Sequence, residues 1–239
     1  MTTSRLVSVD ALRGLAILGV VAYHLVWNLA FFGLVPEEWA IGTSVIVVAR
    51  LGAGLFLFLV GVGLVLAHGE RVRPKAFAIR LVAIIAAAVS ISVVTYVLFP
   101  DRFIYFGILH CIAAASLVGI VFVRLPSGAA LLGSLVLGVT PFLVSTEAFD
   151  TRTLAWTGFA ETAPSSHDFF PLLPWAGVTL AGVGIASSLR GRSARARSAK
   201  PPGPTIRALA WAGRRTLAIY LLHQPILFGA VAAAARLAR

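Results

Sequence analysis

Eight side chains in this sequence combine chemical capability with an apolar setting: Asp10, Arg13, His24, Asn28, Arg50, His110, His223 and Gln224. Each lies within or at the edge of a long apolar run, where a charged group costs roughly 2.5 to 3.5 kcal/mol on membrane-insertion scales and is usually kept for a partner or a cavity. Arg13 and His24 form the sharpest pattern. Eleven residues at about 100° each return to the same helix face within roughly 20°, and the 1.5 Å rise sets the two about 16 Å apart along the axis. Asp10, three residues before Arg13, can pair with it, and Asn28, four beyond His24, is positioned to hydrogen-bond the imidazole. The stripe therefore leads from a guanidinium at one end to an imidazole at depth. Two readings fit it equally. One is the path of an elongated ligand with an anionic head and a buried reactive end, the shape of a coenzyme A thioester. The other is a snorkelling arginine below a histidine satisfied within a helix bundle.

The remaining candidates are less patterned. A helix starting near Phe103 places His110 about 10 Å below the outer surface, where it could meet the first segment near His24. Cys111 points about 100° away from it, so a cysteine–histidine nucleophile pair is not expected. Arg50, roughly 15 Å into the second segment when counted from Ile41, suits a counter-ion or a substrate contact. His223, Gln224 and Pro225 read as a kinked half-helix with a packing or hinge role. His68 ends the second segment and His167 lies in an outer loop, and both read as solvated. A single cysteine excludes an internal disulfide and a multi-cysteine metal site, and no metal is expected.

The elements that must hold these residues are dictated by composition. Of 239 residues, 59% are hydrophobic and only 12% charged, with a mean hydropathy of +0.94, which excludes a water-soluble globule. Apolar runs at about 14–34, 41–68, 77–98, 103–123, 127–147, 170–189 and 216–236 are each long enough to cross a hydrocarbon core of roughly 30 Å. Backbone groups in lipid must be satisfied internally, and the alternation of a membrane barrel is absent, so the fold class is all-α. The expectation is one integral membrane domain over residues 1–239, a polytopic bundle of about seven spanning helices. The net charge of +11 belongs to topology and lipid headgroups rather than to nucleic acid, because the basic residues cluster at segment ends. Fifteen of them fall on one side and four on the other, which predicts a cytoplasmic N-terminus, an external C-terminus and residence in the cell (inner) membrane. The stretch at about 190–207, RGRSARARSAKPPGPTIR, reads as a mobile cytoplasmic linker touching anionic lipid. Small residues, among them Gly52, Gly61, Gly177, Gly182 and Gly184, allow helices to approach closely, and Pro141, Pro174 and Pro225 interrupt helical hydrogen bonding.

The segment RLVSVDALRGLAILGVVAYH, with its arginine and histidine ten residues apart in the intervening count, resembles the start of the transmembrane acyltransferase superfamily. Within it the chain is most similar to the heparan-alpha-glucosaminide N-acetyltransferase catalytic-domain family, with further matches at FGILHCIA around His110, FPLLPWAG around Pro174 and LAIYLLHQP around His223. The first block is the specific one; the other three are short and hydrophobic. The resemblance implies transfer of an acyl group, foremost acetyl, from acyl-CoA on the cytosolic side to a sugar or other polar acceptor. It implies Arg13 and His24 as the working pair, with acetyl-CoA or another acyl-CoA as donor substrate. Two features differ from larger animal members: seven segments are fewer than theirs, and in the lysosomal enzyme an amide matches His24. His24 and His110 are thus the expected catalytic residues, and Asp10, Arg13, Asn28 and Arg50 the expected binding residues. Expected partners are acyl-CoA, a polar acceptor and lipid, and the sequence admits a homo-oligomer. The rival readings are a proton-coupled transporter or exporter using the same polar stripe, and a noncatalytic membrane subunit. The absence of an internal repeat and of a carboxylate at membrane depth speaks against the transporter.

Overall fold

A computed structural model describes residues 7–190 and 202–237. Among the described residues the regular structure is all-α. Its helices are α1 (Val7–Phe31), α2 (Glu38–Ile41), α3 (Thr43–His68), α4 (Pro74–Leu98), α5 (Ile108–Phe122), α6 (Ser127–Leu143), α7 (Leu172–Leu189), α8 (Pro204–Arg214) and α9 (Thr216–Leu237). The seven apolar segments thus all appear as helices. Five of these, α1, α3, α4, α7 and α9, are long and apolar enough to cross a membrane, whereas α5 and α6 are shorter, at 15 and 17 residues. Large apolar side chains stand exposed along α4, including Ile79, Val82, Val93 and Val97. That pattern is foreign to a water-facing surface and ordinary for a lipid-facing one.

The chain divides into two compact units. The first holds α1, α2, the beginning of α3 to Phe56, α8 and α9. Its α1–α8 crossing brings backbones together: a Cβ added at Gly14 would overlap the Leu209 carbonyl, and one added at Gly213 would overlap the Asp10 carbonyl. Glycine is required at both points because any side chain would force the helices apart. The existence of α8 differs from the expectation of a linker over 190–207. Residues 191–201 lie outside the described residues, but from Pro204 the chain is helical. Proline at the first helical position and a buried face of Ala210, Ala212 and Gly213 account for it. Helix α9 lies along α1 through the pairs His24–His223, Asn28–Gln224 and Phe31–Phe228. Residue numbers rise together along this seam, so α1 and α9 run parallel.

The second unit holds α3 from Leu57, with α4, α5, α6 and α7. Its core gathers Leu64, Val65, Val123, Ala130 and Val183, with Phe77, Ile120 and Phe122 packed against them. Gly61 and Gly182 let α3 and α7 touch backbone to backbone, since a Cβ at either would overlap the opposing helix's carbonyl at Thr179 or Phe58. Thr179 Oγ1 donates to the Leu57 carbonyl at 3.2 Å within the same contact. Gly52, by contrast, faces open space and has no packing role of this kind. Pro174 does not kink a running helix. Leu173 before it has extended dihedrals (φ −100°, ψ 136°), and continuous helix begins beyond the break, as expected for a residue preceding proline.

Candidate active site

The first unit carries the α1 stripe. Asp10 is buried, 4% exposed, and its two carboxylate oxygens lie 3.7 Å from Arg13 Nη1 and 4.0 Å from Arg214 Nη1. The expected pairing of Asp10 with Arg13 is therefore present, and a second guanidinium joins it. One carboxylate shared by two guanidiniums leaves a net positive end, and both arginine side chains remain partly accessible, at 24% and 36%. Arg214 enters because α8 docks its last turn where Gly213 meets Asp10. The available sequence signal was the small-residue face of 204–214 beside a basic residue.

Three turns along α1, His24 is half-buried and packed edge-on against Tyr23. Its Nδ1 lies 3.0 Å from the Val20 carbonyl and 3.2 Å from Nε2 of His223. The His223 ring is 8% exposed, and its Nδ1 lies 2.6 Å from the Tyr220 carbonyl. The imidazole centroids are 4.8 Å apart. Asn28, fully buried, does not turn to His24. It exchanges amide hydrogen bonds with Gln224 across the same seam, Gln224 Nε2 donating to Asn28 Oδ1 at 3.2 Å and Asn28 Nδ2 donating to Gln224 Oε1 at 3.4 Å. The reason is geometric: His24 Nδ1 is already engaged by its own helix and by α9, and the Gln224 amide offers Asn28 both a donor and an acceptor. His223 and Gln224, read from sequence as packing or hinge residues, are the partners of the two polar residues on the α1 stripe.

Arg50 stands seven residues, about 10 Å, into α3 and is exposed.

In the second unit, α5 begins at Ile108 rather than near Phe103. Residues 103–107 are extended and run beside 166–170. His167 N–H donates to the Arg102 carbonyl at 2.9 Å, Phe170 N–H to the Phe106 carbonyl at 3.1 Å, and Phe106 and Phe169 form a parallel bridge. His110 consequently lies in the first turn of α5, not about 10 Å into a helix. Its Nδ1 accepts the Gly107 N–H at 3.2 Å, while Nε2 lies 3.3 Å from Ser92 Oγ, whose hydroxyl donates to the Ile104 carbonyl at 2.5 Å. These roles commit both ring nitrogens of His110. Asp168 Oδ2 accepts the Ile108 N–H at 3.0 Å, capping the helix from 60 residues away. Burial pushes its carboxyl up to about 6 from 3.8, the Ile108 hydrogen bond opposing the shift. Cys111 Sγ, 3.7 Å from the Pro171 carbonyl, is turned from His110 as its helical position requires. His68 is not solvated: it is 3% exposed and accepts the Arg73 N–H at 3.2 Å. His167 is exposed, with its ring against Phe99. Among the described residues no group of three or more His, Cys, Asp or Glu could hold a metal ion.

Several helices of membrane-spanning length, with a guanidinium pair between α1 and α8 and an imidazole pair between α1 and α9, define an integral membrane protein with a built polar seam. Its family follows from a direct match. Residues 5–225 fit the family model described as heparan-alpha-glucosaminide N-acetyltransferase, catalytic, and the chain belongs to that family. Membership gives it acetyltransferase chemistry in general, with acetyl-CoA as the family's general donor. Neither the comparison with curated proteins nor that with solved structures found a match.

Proposed function

We propose that this protein is an integral membrane acyltransferase that moves an acetyl group from acetyl-CoA to a hydroxyl or amine of a sugar-like acceptor. The observation that carries the reading is the placement, along α1, of a partly accessible guanidinium cluster at one end, Arg13 joined by Arg214 of α8, and a half-buried imidazole three turns away. Arg13, aided by Arg214, grips a phosphate of the donor, and Asp10 holds both guanidiniums in place. His24 acts as general base. The acceptor O–H or N–H attacks the thioester carbonyl as its proton passes to His24, the C–S bond breaks, and the departing CoA thiolate takes that proton. Asn28, buried against Gln224, supports the seam on which His24 is mounted. His110 lies outside the transfer step because both its nitrogens are engaged in holding the start of α5. Arg50 serves at the surface rather than in the site.

The topology we infer has seven spans, a cytoplasmic N-terminus and an external C-terminus in the cell membrane. The split of basic residues supports it. So does the parallel run of α1 and α9, which demands an odd number of crossings between them and is met by the five apolar helices α3 to α7.

Purified protein supplied with radiolabelled acetyl-CoA and a panel of amino sugars and polyols should label at least one acceptor, and calorimetry should detect CoA binding. Absence of CoA binding to folded wild-type protein would return the chain to the transporter or noncatalytic readings.

A further inference from the structure

His223 lies 199 residues from His24 in sequence, and its imidazole Nε2 sits 3.2 Å from His24 Nδ1. The hydrogen-bond inventory around the pair fixes its proton positions. A carbonyl oxygen only accepts, so the 2.6 Å contact between His223 Nδ1 and the Tyr220 carbonyl puts the His223 proton on Nδ1 and leaves Nε2 as a lone pair. The same argument applied to His24 Nδ1, 3.0 Å from the Val20 carbonyl, puts the His24 proton on Nδ1. That single N–H is shared between Val20 and the lone pair of His223. The basic position of His24 is then Nε2, on the far side of the ring from both partners. In its neutral form, the opposite tautomer of His24 would set two lone pairs against each other at 3.2 Å and would lose the bond to Val20.

We propose that His223 is a positioning residue for His24: its Nε2 accepts the Nδ1 proton of His24 and so presents Nε2 of His24 as the base. This rests on the assignment of His24 as the base. The logic is that of any catalytic imidazole whose orienting partner holds the remote nitrogen in one tautomer; here the partner is a second neutral imidazole in place of a carboxylate. A neutral partner suits the depth at which it stands, since a fixed carboxylate would carry a charge in the apolar interior whenever the site is idle. When His24 takes the acceptor proton, the bond to His223 becomes charge-assisted and strengthens. The interaction therefore favours the transition state over the resting state, which is the condition for it to act on turnover rather than on binding.

The test uses full-length protein in lipid nanodiscs. The chain has five histidines, so ¹⁵N-histidine spectra can be assigned by single replacement. Both His24 and His223 should be protonated on Nδ1, with Nε2 of His223 accepting a hydrogen bond; a His223 protonated on Nε2 overturns the proposal without any reliance on activity. With acetyl-CoA and glucosamine as the probe pair, His223→Phe should lower kcat about 10- to 100-fold while the KM for acetyl-CoA stays within twofold. His223→Gln, whose amide oxygen can accept the His24 proton, should recover turnover to within about fivefold of wild type. In a His24→Asn background, His223→Phe should add less than a twofold further loss, since it acts through a residue already removed. If His24→Asn is inactive while His223→Phe keeps the wild-type kcat, the positioning role is lost and the base assignment survives. If His24→Asn itself turns over at the wild-type rate, the base assignment fails and the positioning role falls with it.

Discussion

Two histidines of this chain lie on apolar helices among polar neighbours, and their surroundings differ in the one respect that matters for chemistry. His110, at the start of α5, has both nitrogens engaged: Nδ1 takes a backbone N–H and Nε2–H faces Ser92, whose own hydroxyl is committed to Ile104. His24, on α1, has its Nδ1 proton shared by Val20 and His223, and Nε2 keeps its lone pair. The first arrangement is closed and holds a helix end. The second, on the proposed reading, leaves a base. Burial and residue type do not distinguish the two; the account of donors and acceptors does.

The contrast is broken most severely at His24. A positioned general base contributes roughly 10²- to 10⁴-fold, so His24→Ala should cut acetyl transfer by that order while CoA binding, measured by calorimetry, is largely kept. His24→Asn tests whether an amide can substitute. Retained activity would mean that the residue orients rather than accepts a proton. At the other end of α1, Arg13→Ala should weaken CoA binding about tenfold to a hundredfold, the range for a charge-assisted hydrogen bond. Arg13→Lys should recover part of it, because an ammonium lacks the planar fork of the guanidinium. Unchanged CoA affinity in folded Arg13→Ala would remove Arg13 from the donor site.

The second unit should respond in stability rather than in turnover. His110→Ala strands the Gly107 N–H and should lower unfolding stability by about 1 to 3 kcal/mol, read by thermal melting, while kcat of the folded protein stays within about threefold. A hundredfold loss of kcat at unchanged stability would reverse the comparison. The smallest effect is expected at Asp168. Its carboxyl is raised to about 6 from 3.8 in the folded chain, so the folded state binds more protons between those values. The stability contributed by this group is present on the acid side and is lost as pH rises through that window. Between pH 5 and pH 7, the part of that window above the unfolded value, the loss amounts to about 1 kcal/mol. Melting at pH 5 and pH 7 should show the difference in wild type, and Asp168→Asn, which keeps an acceptor for Ile108 N–H, should flatten it.

Much of this was legible in the sequence where the information is local. The helical period alone places Asp10, Arg13 and His24 on one stripe, and apolar run lengths give the seven helices. What escaped depends on contacts between distant parts of the chain. No periodicity reports that His24 neighbours a residue 199 positions on, so the sequence alone reads His223 as part of a kink and pairs Asn28 with His24 instead of Gln224. The FIYFG stretch is apolar enough to pass as the first turn of a helix. Only its pairing with 166–170 makes it extended, and this shifts His110 from the interior to a helix start. Helix α8 was hidden because its apolar face is alanine and glycine. Those residues add little hydropathy but are what close contact with α1 requires.

The cap that Asp168 supplies to α5 also has a history in time. Ile108 is added to the growing chain 60 residues before its acceptor is made, an interval of about 3 to 12 s at 5 to 20 residues per second. Ser92, Ile104 and Gly107 all precede His110, so the short-range clasp around that imidazole can form while the distant carboxylate is still unsynthesised. During biosynthesis the histidine clasp is the earlier latch and the aspartate the later one, and the start of α5 is guarded throughout by whichever acceptors have already been made.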